Sequence, residues 1–118
     1  MDVSLNSIPK AGQVHVEVSV TSTVNVSAFA ARHKVNRFVM DEISYMLHAE
    51  EPTLVVADHL VWRVPVILTL RSHGAVGTVG VIDVDVETGQ MHTTPKLVQE
   101  LNEQAEILAV GAASKTAR

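Results

Sequence analysis

Three acidic side chains alternate along Asp83-Val84-Asp85-Val86-Glu87. In an extended strand such residues share one face at a spacing of about 7 Å. Carboxylates arranged this way could hold a divalent cation or serve as a general acid and base. The same pattern describes an antiparallel strand with one wetted face, and Asp85 with Thr88 has the side-chain chemistry to turn the chain before Gly89. The wetted face is the expectation.

The chain carries six histidines, His15, His33, His48, His59, His73 and His92. No two stand two, three or four residues apart, the spacing that would set a pair of imidazoles on one ligand face. His48 and Glu51 are three apart but fall at a predicted helix end. Scattered surface histidines are therefore expected, with no metal and no cofactor. Cysteine is absent, which excludes disulfides, thiolate nucleophiles and cysteine-based zinc sites. Serine, histidine and aspartate occur without a Gly-x-Ser-x-Gly elbow. Gly74, Gly77 and Gly80 lack the Gly-Lys-Ser/Thr and the following helix of a phosphate loop, and read as turn and bulge glycines. No catalytic residue is expected.

Arg32, His33, Lys34 and Arg37 form a basic patch early in a predicted helix, where positive charge opposes the helix dipole. Contact with phosphates or an acidic partner would explain the patch, and so would ion pairs to Asp41 or Glu42. The formal net charge of −4 argues against a dedicated nucleic-acid binder.

These residues need elements to position them. With 118 residues the chain is the size of one domain, and 47% hydrophobic against 19% charged residues is a globular balance. The abundance of valine favours sheet. The N-terminus has no basic start followed by an apolar run, and no stretch approaches the roughly 18 apolar residues of a membrane helix. A soluble, cytoplasmic protein is expected.

Residues 1–12 read as a flexible arm, 13–111 as a single domain and 112–118 as a disordered tail. Val14, Val16, Val18 and Val20 alternate with polar residues, and with Val24 and Val26 they predict a strand over 14–26. Ser27 is a predicted N-cap for a helix over 28–49, with Ala31, Val35, Phe38, Val39, Ile43, Met46 and Leu47 as its apolar stripe. Pro52 is expected to end it. Strands follow at 53–56, 60–70 and 78–87, with a glycine-containing loop at 71–77 and a turn at 88–90. Trp62, Val64, Val66 and Leu68 share a core face, and Pro65 marks an edge or a bulge. Thr94 and Pro95 start a last helix, with Leu97, Leu101, Ala105 and Leu108 inward and Gly111 as its stop. The order β-α-β-β-β-α predicts an α+β fold, an antiparallel sheet of about four strands packed on one long helix, with a C-terminal helix.

Trp62, Val64 and Val66, then Gly77, Val81, Ile82, Asp83, Val84, Asp85, Thr88 and Gly89, resemble the core of the PepSY family. That core is a helix, strands with an aromatic-x-Val pattern, a glycine-rich turn, and Val-x-Val-Asp-x-x-Thr-Gly-Glu. Gln90 stands where the family has an acidic residue. The resemblance covers roughly residues 28–91 and implies a cystatin-like α+β module that binds or regulates other proteins, sometimes proteases, without catalytic residues. PepSY proteins are commonly exported or membrane-tethered, which this chain does not match. The valine strand and the last helix are additions to the minimal unit.

The expectation that follows is a small non-enzymatic protein-binding or accessory module, most simply a homodimer. Its contact surface would be the strand of Val14, Val16, Val18 and Val20, which has no proline or lysine to blunt an edge, together with Arg32, Lys34 and Arg37. One alternative is a small-molecule-binding or enzymatic pocket between helix and sheet, lined by Arg63, His73 or the carboxylates of the Asp83 strand. A weaker one is an antitoxin-like regulatory subunit contacting nucleic acid through Arg32, Lys34 and Arg37.

Overall fold

The computed structural model describes the backbone of residues 21–116 and the side chains of 21–113. The elements are α1 (Ala28–Glu42), β1 (Leu47–Ala49), β2 (Thr53–Val56), β3 (Leu60–Leu70), β4 (Gly74–Asp85) and α2 (Pro95–Thr116). The class is α+β with a four-strand antiparallel sheet, as expected. The order is α-β-β-β-β-α and not β-α-β-β-β-α. Val14, Val16, Val18 and Val20 lie outside the described residues. Residues 21–26 form no strand; the N–H groups of Asn25 and Val26 both donate to the Val86 carbonyl, at 2.8 and 3.0 Å.

Ser27 starts α1 as predicted, its hydroxyl accepting from the Ala30 N–H at 3.0 Å. The helix ends at Glu42, seven residues short of the predicted 49. Ser44 is the local cause: its hydroxyl accepts from the Met46 N–H at 3.2 Å and its carbonyl from the Leu47 N–H at 3.1 Å. A serine that offers the backbone such a turn competes with helix continuation. Leu47 then pairs with Leu68 in the sheet. Ile43, Met46 and Leu47 still pack on the core, so their apolar spacing is satisfied by a turn and a strand instead of a helix.

β3 is the central strand. β4 runs along one edge of it, and β1 and β2 share the other, at residues 66–68 and 60–63 respectively. Pro65 falls in the gap between them, where its carbonyl accepts from the Glu50 N–H at 2.9 Å. Its missing donor therefore meets no ladder partner, which is how a proline survives in a central strand. β4 begins at Gly74, so the predicted loop shrinks to residues 71–73. Two register shifts against β3 leave Val76 and Val79 as extra residues in β4, and the second turns Val79 into the core.

Both helices pack on one face of the sheet. Ala31, Val35 and Val39 of α1 meet Val64, Val66 and Leu68 of β3 there, and Leu101 and Ala105 of α2 join Ile82 and Val84 of β4. Each fully buried valine, leucine or isoleucine contributes about 1.5–3 kcal/mol by leaving water. The last helix starts as predicted, with Thr94 Oγ1 accepting from the Leu97 N–H at 3.1 Å. It passes through Gly111, the predicted stop, to Thr116. The other sheet face carries Arg63, Ile67, Val81, Asp83 and Asp85, and no described helix covers it. No helix among the described residues is long and apolar enough to cross a membrane.

Candidate functional site

The carboxylates of the Asp83 strand share that uncovered face, but each has its own partner. Asp83 accepts two bonds from the Arg63 guanidinium, at 2.9 and 3.0 Å. Glu87 accepts from the Ser22 hydroxyl at 2.9 Å and the Thr23 N–H at 3.2 Å. Asp85 builds the turn that its sequence predicts: Oδ1 accepts from the N–H groups of Glu87 and Thr88, at 2.8 and 3.0 Å. Gly89 closes the turn at φ +76°, and its N–H returns to the Asp85 carbonyl at 2.8 Å. The Thr88 amide, the largest influence, outweighs desolvation and with the Glu87 amide and the charge of His59 holds the Asp85 carboxyl below the usual aspartate range.

The free oxygen of Asp85 points at a histidine. His59 Nε2 lies 3.1 Å from Asp85 Oδ2. His59 sits in the turn before β3, and the register Val61↔Asp85 brings it beside the end of β4. On the far side of β4 the chain returns after Gly89: Met91 bridges Val84, and the His92 N–H donates to the Asp83 carbonyl at 2.8 Å. Met91 packs on the core, so His92 turns to the uncovered face. The rings of His59 and His92 meet edge to face with centroids 5.6 Å apart. One donor atom each from His59, Asp85 and His92 lies within 4.8 Å of the other two. The expectation of scattered histidines thus fails for these two. Their spacing along the chain carries no signal; only the β3–β4 register and the turn after β4 bring them together.

The other described histidines stay apart. His33 stacks on Phe29, His48 Nδ1 meets the Thr69 hydroxyl at 3.1 Å, and His73 meets the Ser72 hydroxyl. His15 lies outside the described residues.

The basic patch is largely internal scaffolding. Arg32 donates to the Ala49 carbonyl at 3.0 Å and pairs with Glu50 and Glu51 at 3.3 and 3.1 Å. Asn36 Oδ1 accepts from the Ala49 N–H at 2.9 Å. Together they cap the outer edge of β1, which would otherwise present open backbone groups. Lys34 donates to the Gly89 carbonyl. Arg37 is exposed, and no hydrogen bond or ion pair ties it to another described residue.

Arg63 and His73 stand at opposite ends of β3 and do not converge. The space between helices and sheet is filled: Phe38, Ile43, Met46 and Trp62 pack against the core, and the Trp62 ring N–H donates to the Val26 carbonyl at 2.7 Å. Open grooves lie outside it. One of about 300 Å³ is lined by Phe29, Arg32, His33, Asn36 and His48. A second, of about 660 Å³, is lined by Met40, Tyr45, Met46, His48 and Thr69. Both run along α1 and β1, and His48 lines each of them. No protein-family model, curated protein or solved structure matches the chain.

Proposed function

We propose that the protein is a small non-catalytic binding module that acts by pairing with a second copy of itself through the outer side of α1. One observation carries this reading. The chain has four aromatic residues, one Trp, one Tyr and two Phe, and two of them are almost wholly exposed, Phe29 at 80% and Tyr45 at 81%. Phe29 lines one of the two grooves along α1 and β1 with His33, and Tyr45 lines the other with the half-exposed Met40. Large aromatic side chains anchor protein interfaces, and leaving them in water forgoes their burial.

The arrangement suits a twofold axis. Phe29 and Met40 are separated by about 16 Å along the helix, at 1.5 Å per residue. Two α1 helices laid antiparallel place the Phe29 end of each against the Tyr45 end of the other, a self-complementary contact. The PepSY-like pattern over residues 28–91 points in the same direction, since such modules act on other proteins. We place the module in the cytoplasm, with which a chain lacking cysteine is compatible. Because Arg32 and Lys34 direct their charge to their own fold, a nucleic-acid role has little support.

Light scattering after size exclusion, at tens of micromolar, should give the mass of a dimer. Phe29→Ala combined with Tyr45→Ala should give a folded monomer. A wild-type protein that is strictly monomeric overturns the reading.

A further inference from the structure

We propose that His59, Asp85 and His92 form a binding site for a borderline transition-metal dication, of which zinc is the type. The proposal is independent of self-association, because α1 packs on the opposite sheet face.

The donor set comes first. Two imidazoles and one carboxylate suit zinc, cobalt, nickel or ferrous iron, whereas calcium and magnesium take oxygen donors. Tetrahedral donors about 2.0–2.1 Å from zinc stand roughly 3.3 Å from one another. His59 Nε2 and Asp85 Oδ2 are already 3.1 Å apart. The three donor atoms lie within 4.8 Å of each other, so rotation of the His92 side chain closes the remainder.

The supporting contacts come second. Asp85 cannot swing away, because its other oxygen is held by two backbone N–H groups at 2.8 and 3.0 Å. The His92 backbone is held by its bond to the Asp83 carbonyl at 2.8 Å. Ligands fixed by such outer contacts need little reordering to bind. The neighbouring Asp83 is neutralised by Arg63 at 2.9 Å, so among the described residues Asp85 is the carboxylate whose oxygen reaches both imidazoles within 4.8 Å. A simple ion pair between His59 and Asp85 would explain one imidazole at this carboxylate but not the second.

The exposure of the site comes third. The His59 side chain is half exposed and that of Asp85 mostly buried. Three protein donors on an accessible rim leave a fourth position for water or for an outside ligand, as in sites that are not closed structural clamps. A bound ion would also tie the turn between β2 and β3 to the segment after β4, locking the end of the hairpin.

Calorimetric titration of the chelator-treated full chain with zinc chloride should show one ion per chain, and cobalt should give a visible absorption band. Zinc should raise the melting temperature, while magnesium and calcium should not. His59→Ala and His92→Ala, both at exposed positions, should each weaken zinc binding by at least the roughly 10–100-fold lost with an outer-shell partner. His33→Ala and His73→Ala should leave it unchanged. Absence of zinc binding, or binding that survives the His59→Ala/His92→Ala double change, overturns the proposal.

Discussion

Asp85 Oδ1 accepts two backbone N–H groups while Oδ2 faces His59 at 3.1 Å. These contacts favour the ionised form and lower its pKa, with the Thr88 amide the largest cause. For a lowered carboxylate, the stabilisation is complete above the unfolded-state pKa and is lost as pH falls through the folded value. The loss therefore begins below about pH 4. Asp85→Asn should cost roughly 1.5–3 kcal/mol at neutral pH, the range for hydrogen bonds to a charged group. The gap between wild type and variant should be constant above about pH 5 and narrow as pH falls below about 4, as read from urea midpoints at each pH. This turn was legible in the sequence because Asp-x-x-Thr-Gly chemistry is local: five consecutive residues supply the acceptor, the hydroxyl and the positive-φ glycine. A residue at Gly89 bearing a Cβ would also press on Val26 Cγ2 at 3.2 Å. The role of His59 and His92 was not legible, since their partners are set by strand register.

At the scale of elements, α1 and β1 show where pattern reading stops. Ala31, Val35 and Val39 were correctly placed inward, and Ser27 was correctly placed as the cap. Met46 and Leu47 extend the same spacing, yet the Ser44 turn holds Met46 and pairing to β3 draws Leu47 into an edge strand. A short apolar run fits either structure, and only contacts distant in sequence decide. The polar side of α1 then takes up the edge: Asn36 and Arg32 bind the backbone of Ala49. Asn36→Ala would leave that part-buried amide without its acceptor, and should cost about 1–2 kcal/mol. Hydrogen exchange should show faster opening at Ala49 while the centre of β3 stays protected.

For the whole molecule, α2 is seated on the same sheet face as α1 by a close approach to β4. A Cβ at Gly80 would come within 2.5 Å of Leu101 Cδ2, and Leu101 is 1% exposed with little room to retreat. Gly80→Ala should therefore cost about 1–3 kcal/mol through overpacking. Leu101→Ala should cost about 2–5 kcal/mol through the cavity it leaves. The double variant should be more stable than the sum of the two, because each change relieves the strain or void of the other. Denaturant unfolding of the three variants checks this coupling. The placement of both helices on one face is also what bares the other face and leaves the His59, Asp85 and His92 cluster open to solvent.

The sequence by itself determined the α+β class, the strands at 53–56 and 60–70, the starts of both helices and the turn at Gly89. Each follows from short-range rules: period-two or helical patterning, caps and turn residues. Only the tertiary structure decided that the described chain runs α-β-β-β-β-α, that Arg32 and Lys34 serve their own fold, and that Phe29 and Tyr45 are left outside. It also decided that two histidines 33 residues apart come within 4.8 Å of one carboxylate. These depend on register and on which face each helix covers, and such long-range pairings leave no spacing in the chain to read.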